Sequence, residues 1–171
     1  MHNFDVRERV SFSHRLMFLA VIAALACPLQ SPAQNLQSSA SEPWNKTEVL
    51  MPEDLAHQLA SPHGKKPAIV CAGFQMLYDG AHIQGAHFAG PGRDPRAIEA
   101  LKSWAKSVPK DRDIIVYCGC CPMNVCPNLR PAFEALRAMR PGHVKILYLE
   151  DSLAKDWVDK GYPVEKGSEQ K

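Results

Sequence analysis

The chain has 171 residues with 20 Lys+Arg, 18 Asp+Glu and six cysteines, a formal charge of +2. Such a balance excludes the basic face of a nucleic-acid binder and the polybasic patch of a membrane-surface protein. The length fits one ordinary domain, large enough to bury a core without staples.

The first 33 residues read as an export leader. Arg7, Arg9 and Arg15 form a basic start, Leu16 to Ala26 is an unbroken apolar run, and Ser31-Pro32-Ala33 offers small residues for cleavage. The run is too short for the ~20 residues that cross a bilayer. Cleavage after Ala33 removes three of the 20 basic and two of the 18 acidic residues and leaves 17 against 16, so the mature charge is near neutral. An alternative has Cys27 acylated as a lipoprotein anchor. The protein is expected in the periplasm or secreted, with no stable membrane insertion once the leader is gone.

Residues 34–50 are polar and Ser-rich and are expected to be a flexible linker, with the ordered domain spanning 51–167 and a polar tail at 168–171. Pro52-Glu53-Asp54 before Leu55, Ala56 and Leu59 predicts a helix start, with proline early and acids in the first turn. Ala68 to Cys71 has the length of a buried strand. Asp94-Pro95 caps a predicted helix with Ile98, Leu101, Trp104 and Ala105 at helical spacing. Ile114 to Cys118 is a second buried strand. Arg130-Pro131 opens a helix carrying Ala132, Phe133, Leu136 and Met139 on one stripe and ended by Pro141-Gly142. Val144 to Leu149 is a third strand, and Asp151-Ser152 caps a last helix with Leu153 and Trp157, closing at Gly161. Strands separated by single helices predict an α/β domain, a parallel central sheet with helices on both faces.

Chemistry concentrates between the second strand and the helix after it, where Cys118, Cys120, Cys121 and Cys126 fall within nine residues. A thiol at the carboxyl end of a buried strand lies where ligands bind in such sheets, and the following helix turns its free N–H groups toward the loop, favouring a thiolate. Cys118 is therefore the expected nucleophile. Cys120, Cys121 and Cys126 are candidates to resolve a covalent intermediate on it or to form a disulfide, Cys121 with Cys126 as a staple of the loop. Arg130, Gly119 and Asn124 are the expected substrate-binding residues, Arg130 through its charge. Cys71 reads as a small hydrophobe and His82 as a structural histidine at a turn.

Three segments carry a family resemblance. Leu77-Tyr78-Asp79-Gly80-Ala81-His82-Ile83-Gln84-Gly85-Ala86 resembles the "GHIPGA" segment of rhodanese-like domains, Ile114 to Cys118 is similar to their "IVVYC" strand, and Leu147 to Asp151 with Trp157 and Gly161-Tyr162-Pro163-Val164 resembles their closing element. The resemblance implies a rhodanese-like fold over roughly Met51 to Lys166, with Cys118 carrying sulfane sulfur as a persulfide. It implies a small sulfur donor and a thiol acceptor as partners, a monomer, and no cofactor. The chain departs from the pattern in four places, one being Ala81-His82 where the family has Gly-His. Cys71-Ala72-Gly73 replaces the usual acid and arginine, Gln84 stands for the proline, and Gly119 to Arg130 make a longer loop than is usual.

Two other readings stay open. Clustered thiolates bind soft metals, with Cys120, Cys121 and Cys126 as the candidate ligands, although their spacing is not a usual zinc pattern. A rhodanese-like domain that only binds partners would share these features. No cysteine precedes Arg130 at the Cys-x5-Arg spacing of tyrosine phosphatases and arsenate reductases.

Overall fold

The computed structural model describes residues 42–140 and 142–167; the expected leader, its Cys27 and the tail at 168–171 lie outside them. Seven strands are present among the described residues: β1 (Val49–Leu50), β2 (Ala68–Cys71), β3 (His82–Ile83), β4 (Ala86–Phe88), β5 (Ile114–Tyr117), β6 (Val144–Leu147) and β7 (Val164–Glu165). Four α-helices join them: α1 (Pro52–Ala60), α2 (Gln75–Gly80), α3 (Pro95–Ser107) and α4 (Leu129–Met139). Five strands form a parallel sheet in the order β1-β6-β5-β2-β4, and β3 pairs antiparallel with β7 in a small ribbon.

Period-two alternation explains why β5 is apolar throughout. Ile114 and Val116 pack with Leu101 and Ala105 of α3 and Ala132, Phe133 and Leu136 of α4. Ile115 and Tyr117 face the other way, onto Leu55 and Ala56 of α1, Tyr78 of α2 and the fully buried Trp157. A central strand covered on both faces has no polar side, which is the mark of a parallel α/β sheet.

The sheet places the cysteine loop. From β2 the chain leaves through α2 on one face and returns at the β4 edge, whereas from β5 it leaves through α4 on the opposite face and returns at β6. The two connections diverge between neighbouring strands, opening the crevice at which α/β sheets bind ligands. Cys118 follows β5 directly at this point.

The domain begins earlier than the sequence suggests. Residues 42–50, assigned to the linker, hold Trp44 buried edge-on against Phe133 with ring centroids 5.8 Å apart. An Asn45–Glu48 capping box orders a 3₁₀ turn at Lys46–Glu48, and β1 pairs Val49 with Ile146 at the sheet edge. Burial of the indole and pairing of the edge outweigh the polar composition before it. Two other boundaries shift. Helix α4 starts at Leu129, so Pro131 sits within the first turn, where its missing N–H costs nothing. The expected last helix is a short π-helical segment, Ala154–Val158, whose Asp156 carboxylate accepts from the backbone N–H groups of Asp151 and Ser152 at 2.8 and 3.0 Å.

His82 is buried, stacked on Tyr78 with centroids 3.7 Å apart, and its Nδ1 is 2.8 Å from the Tyr78 carbonyl oxygen. Among the described residues no helix is long and apolar enough to cross a membrane.

Candidate functional site

The loop from Gly119 to Asn128 folds back over the end of β5 because its backbone is tied to the neighbouring segments. Met123 N–H donates to the Leu149 carbonyl at 2.9 Å, Leu153 N–H donates to the Gly119 carbonyl at 3.1 Å, and Met123–Val125 forms a 3₁₀ turn with Met123 buried beneath it. Gly119 makes the first bend at φ +84°, where a Cβ would stand 3.0 Å from that of Leu153. At the far end Gly92 lets the chain approach closely, since a Cβ there would come within 2.1 Å of the Asn128 carbonyl oxygen. Gly92→Ala is accordingly expected to push the Asn128 segment outward and to lower stability by about 1–3 kcal/mol. Urea unfolding measures it, and an unchanged midpoint would show that the segment yields freely.

This fold-back gathers sulfur. Cys118 Sγ lies 3.2 Å from Cys120 Sγ, Cys120 Sγ lies 3.1 Å from Cys121 Sγ, and the sulfurs of Cys118, Cys120 and Cys126 all fall within 4.8 Å of one another. Cys121 is outside that trio, so the mutually close set is Cys118, Cys120 and Cys126 rather than Cys120, Cys121 and Cys126. Cys118 and Cys126 are 2% and 6% exposed, and Cys120 is half-buried.

Hydrogen bonds and burial divide the trio into Cys118, which ionises readily, and Cys120 and Cys126, which hold their protons. The Cys126 thiol donates to Cys118 and is the largest influence on it; burial opposes ionisation, and the Asn128 side-chain amide at 3.4 Å, the Cys120 backbone N–H and the Cys120 thiol favour it. Together they lower the Cys118 pKa from 9.0 to about 6. The same bond raises Cys126, helped by burial, while burial first and then its bonds to Cys121 and Cys118 raise Cys120. Cys71, 3% exposed with its thiol 3.7 Å from the Cys118 carbonyl oxygen, is pushed up to about 12 by burial. A proton-holding thiol of this kind packs as a small hydrophobe.

Asn128 is the site residue that the sequence analysis does not single out. It is fully buried at the start of α4, its Nδ2 donating to Cys118 Sγ and its Oδ1 accepting from the Arg93 N–H at 3.3 Å. A polar residue directly before a helix was its one signal. Of the three expected substrate-binding residues, Asn124 is exposed on the 3₁₀ turn and Arg130 is half-buried on α4. Only Gly119 borders the adjoining cavity. That cavity, about 260 Å³, has Cys118 in its wall with Tyr78, Met76, Leu77, Leu153 and Val158, and apart from the readily ionised Cys118 thiol no charged residue lines it.

Known structures share this architecture. The solution structure of the rhodanese-like domain of the Alr3790 protein from Anabaena sp. matches at 25% identity with a TM-score of 0.50, covering 70% of this chain and 79% of that one. A crystal structure of the Alr3790 protein matches at 23% identity and TM-score 0.53, over 69% and 92% of the two chains. The BH2092 protein from Bacillus halodurans matches at 22% and 0.51, over 68% and 75%. No protein-family model and no curated protein matches the chain. The fold is rhodanese-like, with a cysteine-rich loop at the carboxyl end of the central strand.

Proposed function

We propose that this rhodanese-like domain is an exported sulfurtransferase that moves sulfane sulfur through a persulfide on Cys118 and that neighbouring thiols complete the reaction. One observation carries the reading: Cys118, whose proton affinity is lowered, stands 3.2 Å from the thiol of Cys120, whose proton affinity is raised. Carrier and resolver are then preassembled, so the second step needs no diffusional encounter. The leader-like first 33 residues support a setting outside the cytoplasm, and the near-neutral charge supports a small-molecule donor rather than a nucleic acid. The domain acts as a monomer.

In the first step the Cys118 thiolate attacks the outer sulfur of the donor. A carbon- or sulfonyl-bound S–S bond breaks, the leaving group departs with its electron pair, and Cys118 holds the sulfur as a persulfide. The Cys126 thiol and Asn128 amide that stabilise the starting thiolate are placed to hold the persulfide anion as well. In the second step the sulfur of Cys120 or Cys126 attacks the inner sulfur and its thiol proton passes to the departing sulfide. Hydrosulfide leaves, and a disulfide to Cys118 remains; two external thiols, the acceptors in this scheme, reduce it by supplying two electrons and two protons and become a disulfide themselves. A cavity with apolar walls and no cationic side chain suits a donor with an apolar body, such as an aromatic thiosulfonate, better than a bare oxyanion.

Mass spectrometry of the reduced protein after brief exposure to benzenethiosulfonate tests the proposal. One added sulfur should map to the peptide containing Cys118, and reductant should remove it. Sulfur found on Cys71, or on no cysteine with either this donor or thiosulfate, would overturn it.

A further inference from the structure

The sulfur trio has a second use that does not depend on sulfur transfer. We propose that Cys118, Cys120 and Cys126 form a three-sulfur binding site for a soft monovalent cation, Cu(I).

Ligand type comes first. Thiolates are soft donors that select Cu(I), zinc or iron–sulfur clusters over hard cations, and no histidine or carboxylate belongs to this group. Coordination number then separates the choices. Structural zinc closes its shell with four ligands; Cys121, the one further thiol in the loop, touches Cys120 at 3.1 Å and bonds to Cys126 but is not in the group in which every sulfur, that of Cys118 included, is close to every other. A site with three sulfurs suits the low coordination of Cu(I). The scale also fits. Metal–sulfur bonds of ~2.3 Å in a trigonal plane hold sulfurs about 4 Å apart. The trio, with a shortest separation of 3.2 Å and an upper limit of 4.8 Å, reaches this by shifts of less than an ångström or so.

The surroundings favour the same cation. Two of the three ligands, Cys118 and Cys126, are buried in the core cluster with Met123, Ala72 and Leu129, and the half-buried Cys120 leaves a way in for the cation. Both ends of the loop are anchored, by β5 on one side and α4 on the other, and the Met123 and Leu153 backbone bonds fix its middle. Little chain ordering remains to be done on binding. Cu(I) enters with loss of the protons still on the three thiols, which go to solvent, and there is no change of oxidation state. Because Cys118 is shared, a bound cation and a persulfide exclude one another.

The test is anaerobic titration of the fully reduced full-length chain with Cu(I) in competition with bathocuproine disulfonate. One Cu(I) per chain is expected, with three sulfur neighbours in X-ray absorption and protection of Cys118 from iodoacetamide. Cys120→Ser and Cys126→Ser should each weaken binding on the order of a hundredfold, whereas Cys121→Ser and Cys71→Ser should change it little. Cys120 is half-buried, so its variant retains the fold even where Cys126→Ser does not, and circular dichroism checks each. Failure to compete, a loss with Cys121→Ser equal to that with Cys126→Ser, or tighter zinc binding with four sulfur neighbours would overturn the proposal. Persulfide formation on the metal-free protein is read separately, so either idea can fail while the other stands.

Discussion

Cys118→Ser should abolish sulfur transfer, reducing turnover at least about 10³-fold, because a serine hydroxyl in the same position neither ionises near neutral pH nor attacks sulfane sulfur. The neighbours should give a different pattern. In Cys120→Ser and Cys126→Ser the carrier still accepts sulfur, so persulfide should accumulate on Cys118 while release of sulfide slows. Cys126→Ser should have a further effect on the first step, since its thiol is the strongest influence favouring the Cys118 thiolate. Cys121→Ser should slow the second step less than Cys120→Ser or Cys126→Ser, because its sulfur bonds to Cys120 at 3.1 Å and to Cys126 but is not part of the close trio with Cys118. Quantifying persulfide and sulfide in parallel distinguishes these cases. If Cys121 and Cys126 instead staple the loop, either substitution should cost about 2–4 kcal/mol in urea unfolding while turnover falls only with stability. Equal persulfide turnover in all three neighbour variants would remove them from the reaction.

The pattern of what the sequence made legible follows from how far each residue's fate depends on its neighbours in the chain. Ile114 to Tyr117 is a short apolar run that must be buried on both faces, and it is the central strand. The apolar stripes on α3 and α4 repeat at helical spacing, so their buried faces were also readable. Strands β1, β3, β4 and β7 have only two or three residues each, too few to show a period, and exist because a partner strand is already in place. Trp44 belongs to the same class: its Ser-rich context reads as linker, and only Phe133, 89 positions away, gives it a place in the core. In the cysteine loop the concentration of thiols was legible, but not their pairing. The 3₁₀ turn buries Met123 and exposes Asn124, then brings Asn128 inward at zero exposure. Spacing could not choose between the two asparagines, because the choice depends on where Leu149 and Gly92 hold the loop.

Alkylation of Cys118 by iodoacetamide should rise with pH to half its limiting rate near pH 6, some three units below an ordinary thiol with its pKa of 9.0, while Cys71 should stay inert until pH approaches 12. The cause is local donation to sulfur, so removing a donor should move the curve upward. A hydrogen bond to a charged group contributes about 1.5–3 kcal/mol, and one pKa unit corresponds to ~1.4 kcal/mol, so Cys126→Ala should raise the midpoint by about 1–2 units. Asn128→Ala should raise it by less, the amide being the weaker of the two influences. The same shift ties stability to pH. Between about pH 6 and the unfolded value the unfolded chain binds a proton that native Cys118 does not, so the native state gains stability as pH rises through that window and loses this contribution as pH falls through 6. Cys71, Cys120 and Cys126 act oppositely above the unfolded value: the unfolded chain loses protons there that the fold retains, and stability declines with further rise in pH. The thiols together should therefore give a maximum near ~8.5, the ordinary thiol range. Urea midpoints of wild type and Cys118→Ser, compared from pH 5 to 8, isolate the Cys118 part. The difference between them should grow with pH in favour of the wild type, and a constant difference would show that Cys118 is protonated in the native protein.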